Sequence, residues 1–448
     1  MDQMKLYFDV RDIFRAPRLA LSGKKIIILM QANLVGYAVY WVLNYIGAAA
    51  NGMAFSDSWA AYGLYPCVLS LDSLSGIACV LYWVGVAFWF YAISLGATAV
   101  SRVTYKQLKG DEFYSGGNAW SYVKKHWHPV IFSSISLGLI LVFLFFIAAI
   151  FGLVGKIPYV GEFLFVLPYL LYFFGSVFTI YTGVVFLIAL VYTPAIVGTY
   201  EEDTMGTVWH NFSITWGQPW RIILYHGALV PVLVLGAYLF SHAWISGYGL
   251  INAVFSHEWL MGSKLLNIVG WATQAVHPGA LCSVLGNTCS ICIACCAGCG
   301  SLLTSSGVAL SSTELVAAFI LAVFLFLLIV SVVSYTMAIL SVGETLMFII
   351  FKKRSDDDNL LERKDEEELD EEEEDDNFSL DDDEFDNDSV RNTGADEEEA
   401  EDEAEQDDSE TENNSYVGSA SHSGNNTDFP LGCILTNWVI FYDRSEAI

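Results

Sequence analysis

The stretch from Leu315 to Val342 reads LVAAFILAVFLFLLIVSVVSYTMAILSV, 28 residues without a charged side chain. A hydrocarbon core about 30 Å thick is crossed by roughly 20 apolar residues rising 1.5 Å each. This stretch is long enough to cross a bilayer, and it ends toward the basic run Lys352, Lys353 and Arg354. Five further charge-free stretches qualify, centred on Ile26 to Ala49, Ile77 to Val100, Val130 to Gly155, Phe163 to Val197 and Ile222 to Phe240. The fourth of the six runs uncharged from Phe163 to Tyr200, which suggests a short re-entrant or interfacial piece before Pro168 and one long tilted helix after it; two spans remain the alternative there. The expectation is an all-α membrane protein with about six transmembrane helices.

Composition agrees once charge is located. A chain of 448 residues that is 54% hydrophobic and 15% aromatic is too apolar for water, yet its formal charge is −29. Between Asp356 and Glu412 lie 33 of the 50 acidic residues, opposed only by Arg363, Lys364 and Arg391. Residues 1–354 therefore form a nearly neutral membrane domain. Residues 355–415 form a low-complexity acidic tail that lacks apolar periodicity and repels itself, so it is expected to be disordered and solvated. Residues 416–448 end in a short apolar segment, too brief to span. Negative charge excludes nucleic acid as a partner of the tail and suits a basic protein partner.

Lys and Arg near span ends accumulate on the cytoplasmic side. Lys5 to Lys25 precede span one, Arg102 to Lys125 lie between spans two and three, Arg221 precedes span five and Lys352 to Arg354 follow span six. The alternate loops hold only Lys156 and Lys264. Six spans place every basic cluster on one side, with both termini cytoplasmic, as in a bacterial inner membrane. No cleavable signal peptide is evident before the first span.

The chain also repeats itself. Trp120, Trp127 and Pro129 in GNAWSYVKKHWHPVI are echoed by Trp209, Trp216 and Pro219 in GTVWHNFSITWGQPWRII, with the tryptophans seven positions apart in both and one insertion separating the copies. The N-terminal VRDIFRAPRLALSGKKIII has the same basic, aromatic character. Three units follow, about 8–110, 111–203 and 204–354, each a cytoplasmic interfacial helix and a helical hairpin, all with one orientation. Their returning spans close alike on GDE, EED and SDDD.

Two groups of candidate residues emerge. Trp and basic side chains favour the headgroup layer, which selects Trp120, Lys124, Lys125, His126, Trp127, Trp209, Trp216, Trp220 and Arg221 as contacts with membrane lipids. Polar groups inside spans are functional candidates because lipid offers them no partner, which selects Gln31, Asn33, Asn44 and His226; interhelical hydrogen bonding explains the asparagines and the glutamine without transport. Glu344 is read as interfacial. Cys289, Cys292, Cys295 and Cys299 match an iron–sulfur spacing, but the predicted extracytoplasmic side favours disulfides, apolar packing or a re-entrant hairpin, so no cofactor is called for. Protease, hydrolase and P-loop patterns do not occur.

The segment KQLKGDE followed by GNAW, read with TPAIV and W…W…PWR, resembles the membrane domain attached to bacterial glycerophosphodiester phosphodiesterases and its stand-alone multi-pass relatives, over about residues 77–240. In those enzymes the chemistry belongs to a separate soluble barrel, so the resemblance implies a membrane module and carries over no catalytic residue. The resulting expectation is a non-enzymatic scaffold or lipid-interface organiser. The alternative is a transporter or channel for a small or lipidic substrate at the repeat interface, marked by a water-accessible cavity at the axis.

Overall fold

The structure, a computed structural model, describes residues 6–67, 75–276, 310–365 and 367–369. All of them fall within one compact unit, Met1–Asn377. A 3₁₀ turn, Val10–Arg15, leads to helices α1 (Ala16–Ala20), α2 (Gly23–Ala50), α3 (Phe55–Tyr62), α4 (Gly76–Lys109), α5 (Gly116–Lys125) and α6 (Trp127–Val154). The chain continues through α7 (Gly161–Val166), α8 (Tyr169–Tyr200), α9 (Thr204–Gly217), α10 (Pro219–Phe255), α11 (Ser263–Val276) and α12 (Ser312–Ser355). Among the described residues there is no strand.

Six helices, α2, α4, α6, α8, α10 and α12, are long and apolar enough to cross a membrane, and the protein is a multi-pass helical membrane protein. The uncharged fourth stretch resolves into the short α7, a break at Pro168, and the single long α8. Pro168 lacks the N–H that a continuous helix would need there.

The ends of the helices follow from local chemistry. Ser75, Ser115, Asp203 and Ser311 cap α4, α5, α9 and α12 by accepting a backbone N–H, and Ser311 with Glu314 completes a capping box. All three returning helices stop at a left-handed residue. Gly110 (φ 105°) ends α4, Glu201 (φ 57°) ends α8, and Asp357 (φ 54°) follows the C-cap of α12. Glycine takes this conformation freely. A glutamate does so at a cost of about 1–2 kcal/mol, so neighbouring contacts must hold Glu201 there.

Helix α2 packs on α4, α6 on α8, and α12 on both α10 and α11. The three returning helices, α4, α8 and α12, also meet one another. Their contact is made by small residues: the Ser101 and Ser341 hydroxyls are 3.2 Å apart, and Ser341 Oγ donates to the Ala97 carbonyl at 2.9 Å. A Cβ at Gly198 would lie 2.7 Å from the Ser101 Cβ and 2.9 Å from the Thr98 carbonyl oxygen. Small residues let helices approach closely where lipid supplies no hydrophobic drive.

The main core lies toward the ends of these helices that carry the basic clusters. It contains Val103, Leu108, Tyr192, Ile196 and the run Leu346 to Phe351. Elsewhere the spans turn large apolar side chains outward, such as Phe143, Phe146, Leu170, Phe174 and Phe319, as lipid-facing helices do.

Two expectations about the ends of the domain change. The N-terminal segment is not one continuous surface helix but a 3₁₀ turn and a short helix that expose Arg11, Phe14, Arg18 and Leu21 and pack on their other side. Its 3₁₀ turn packs against α10 and α12 and α1 packs on α12, with Asp12, Ile13 and Ala16 fully buried. Tyr335 Oη donates to the Pro17 carbonyl and Arg354 Nε to the Phe8 carbonyl. Nor does folded structure stop at Arg354. The acidic segment turns back after α12 and buries Leu360 and Leu361, the one adjacent apolar pair in its opening stretch. The rest of the acidic tail beyond residue 369 and the segment 416–448 lie outside the described residues.

Candidate functional site

The chemistry-bearing side chains among the described residues gather where the returning helices end. Arg102, Lys106 and Lys109 are spaced four and three apart on the last turns of α4, so they form one stripe, and the negative end of the helix dipole favours cations there. Opposite them stand Glu201 and the segment Asp365, Glu367 and Glu368. Arg102 Nη2 lies 2.9 Å from Glu201, 3.3 Å from Asp365 and 2.8 Å from Glu367. Lys106 meets Asp365 at 2.9 Å and Glu368 at 3.4 Å; Lys109 meets Glu368 and, at 3.7 Å, Asp365. Glu201, in its left-handed conformation, thus joins this network through its side chain.

Tyrosines wall the cluster. The Tyr122 ring lies 4.3 Å from the Arg102 guanidinium, Lys109 lies 5.4 Å from the Tyr105 ring, and Tyr114 Oη donates to Glu367 at 3.0 Å. Tyr105 Oη and Lys109 Nζ donate to the Leu360 and Arg363 carbonyls. Burial, and then the nearby Glu367 carboxylate, push the Tyr114 phenol above its ordinary value. Burial pulls the Asp365 carboxyl upward, but Arg102, Lys106 and Lys109 together hold it below the usual aspartate range.

The predicted interfacial residues divide into two sets. On α9, Val208, Asn211, Ile214 and Thr215 face inward, while Trp209 and Trp216 are 72% and 77% exposed. Trp220, at the start of α10, is 61% exposed with the Arg221 guanidinium 5.4 Å from its ring. On α5 the pattern differs. Trp120 is half-buried and donates to Gln31 Oε1 at 3.1 Å, His126 stacks on Tyr122, and Lys124, Lys125 and Trp127 are exposed.

The intramembrane polar residues bridge helices or their own turns. Asn33 Nδ2 reaches Ser334 Oγ and Met337 Sδ on α12, and its Oδ1 accepts from Trp89 on α4. Asn44 donates to the Tyr40 carbonyl one turn back. His226 Nε2 lies 2.9 Å from Glu344, which is 2% exposed and so packed between helices rather than facing headgroups or water. The flanking run Ser341, Val342, Gly343, with Thr345 beyond, was the available signal, because small residues mark close helix contact. Gln31 also borders an apolar cavity of about 610 Å³ walled by Val35, Phe88, Tyr91, Trp120 and Ile131, at the side of the bundle between α2, α4 and α6.

Around α9, His210 Nε2 lies 3.4 Å from Glu202. Burial and the Lys352 ammonium hold its imidazole below the ordinary value against the pull of Glu202. Cys289, Cys292, Cys295 and Cys299 lie outside the described residues. Comparison of the chain with protein-family models, curated proteins and solved structures gives no match.

Proposed function

We propose that this protein is a non-enzymatic membrane module that organises lipid at one membrane face, the cytoplasmic one, through the helices preceding its spans. The observation that carries this reading is α9 and its junction with α10. Trp209, Trp216 and Trp220 point away from the bundle although the opposite face of α9 is already packed. Indole rings are stable at the headgroup level, with an apolar body and a polar N–H. The three-unit repeat supports the same arrangement. Each hairpin follows a short segment, and each returning helix closes on a left-handed residue.

The contact of α4, α8 and α12 through Ser101, Gly198 and Ser341 is tight, which weighs against a substrate path along that axis. In nanodiscs containing lipids brominated near the carbonyl end of the chain, tryptophan emission should be strongly quenched. The triple variant Trp209→Phe, Trp216→Phe, Trp220→Phe should lose a large part of that quenching. Unchanged quenching would mean that lipid does not touch this face and would overturn the reading. Labelling of Ser341→Cys by an aqueous thiol reagent would move it to transport.

A further inference from the structure

The acidic segment occupies the basic stripe of α4, but it fits it poorly. Glu201, Asp365 and Glu367 all crowd a single nitrogen, Nη2 of Arg102. The guanidinium is fully buried, yet its Nε and Nη1 have no hydrogen-bond acceptor among the described residues. A carboxylate shaped to arginine engages two nitrogens side by side, which none of these does. Four carboxylates also meet three cations, one more negative charge than the stripe can match.

The position of Asp365 is the informative one. Its single carboxylate touches all three cations: Oδ1 lies 2.9 Å from Lys106, and Oδ2 lies 3.3 Å from Arg102 and 3.7 Å from Lys109. Its Oδ2 is buried without a hydrogen-bond donor. One anionic group at the focus of three converging cations is the place of a phosphate, whose oxygens can address three donors at once. Tyr114 Oη, now donating to Glu367, lies at the same site.

We propose that Arg102, Lys106, Lys109 and Tyr114 form a binding site for a phosphate-bearing anion, and that Asp365, Glu367 and Glu368 are a tethered stand-in that must leave before the anion enters. The acidic segment is then a built-in competitor. Its attachment to the chain gives it a high effective concentration, so it holds a site for which its own geometry is poor. The site is independent of the tryptophan face of α9, and either can fail without the other.

The test uses the full chain and two variants, Asp365→Asn alone and the triple Asp365→Asn, Glu367→Gln, Glu368→Gln. Inorganic phosphate is titrated against protein in neutral detergent micelles, and phosphatidylglycerol is compared with phosphatidylcholine in nanodiscs, with the unfolding midpoint and direct binding as readouts. The triple variant should bind one of these probes at least tenfold more tightly than the wild type. Asp365→Asn, in which Glu201 and Glu367 still hold Arg102, should fold normally and show a smaller gain. A gain with soluble phosphate identifies a free phosphate ligand, and a gain confined to phosphatidylglycerol nanodiscs identifies a lipid headgroup. Adding Lys106→Met and Lys109→Met to Asp365→Asn should abolish the gain. No gain with either probe, or a gain that survives loss of the lysines, would overturn the proposal.

Discussion

The pair formed by His226 and Glu344 shows how a single residue changes meaning between sequence and structure. Glu344 sits 2% exposed, while His226 keeps roughly a third of its surface. The two substitutions are therefore unequal. His226→Ala strands a buried carboxylate, and breaking a buried pair in this way costs about 3–5 kcal/mol. Glu344→Gln leaves an amide oxygen that can still accept from the imidazole, with a cost nearer ~1 kcal/mol, the scale of a neutral hydrogen bond. Unfolding followed in micelles at neutral pH should rank His226→Ala well below Glu344→Gln. Equal losses would mean that the pair acts only through packing. Arg102 teaches the same lesson. Its charge was legible as part of a basic cluster at a span end, but the partners that bury it, Glu201 and Asp365, lie 99 and 263 positions away in the chain, and no local pattern announces them.

Elements were far more legible than sites, because a bilayer imposes a length rule that a few charges can punctuate. Length alone left one span or two open between Phe163 and Tyr200; the placement of the basic clusters favoured one, and the structure has a break at Pro168 and an uninterrupted α8. The packed side of the N-terminal segment escaped because its arginines and proline draw attention to the exposed side, whereas Asp12, Ile13 and Ala16 are fixed by packing against α10 and α12. Within α8, two glycines that look alike in sequence have opposite surroundings. A Cβ at Gly198 would strike Ser101 and the backbone of Thr98 in the middle of the three-helix contact, whereas Gly183 has nothing within 4 Å. Overpacking of this kind costs about 1–3 kcal/mol. Gly198→Ala should lower the unfolding midpoint measurably, and Gly183→Ala should leave it unchanged or raise it. If the two behave alike, the close approach of α4 and α8 does not limit stability.

At the scale of the whole molecule, several acid-sensitive contacts lie at one end of the bundle and act with the same sign. His210 is held below its ordinary value, chiefly by burial and then by Lys352, so the unfolded chain takes up a proton first as pH drops below about 6.5. Stability associated with His210 is therefore present at neutral pH and lost as pH falls toward its depressed folded value. Asp356 is lowered, first by its hydrogen bond from Lys352, and Asp365 is lowered by Arg102, Lys106 and Lys109 despite its burial. A depressed carboxylate contributes stability in full above its unfolded value near ~4 and loses it as pH falls through the folded one. Two separate descents are expected in the unfolding midpoint on acidification. His210→Gln should flatten the first, between pH 6.5 and the region above pH 4, and leave the second. Asp365→Asn should weaken the second and leave the first. Loss of one inflection in each variant would locate the acid response at the end of the bundle that holds His210 and Asp365, and a single descent unaffected by either substitution would assign it elsewhere in the chain.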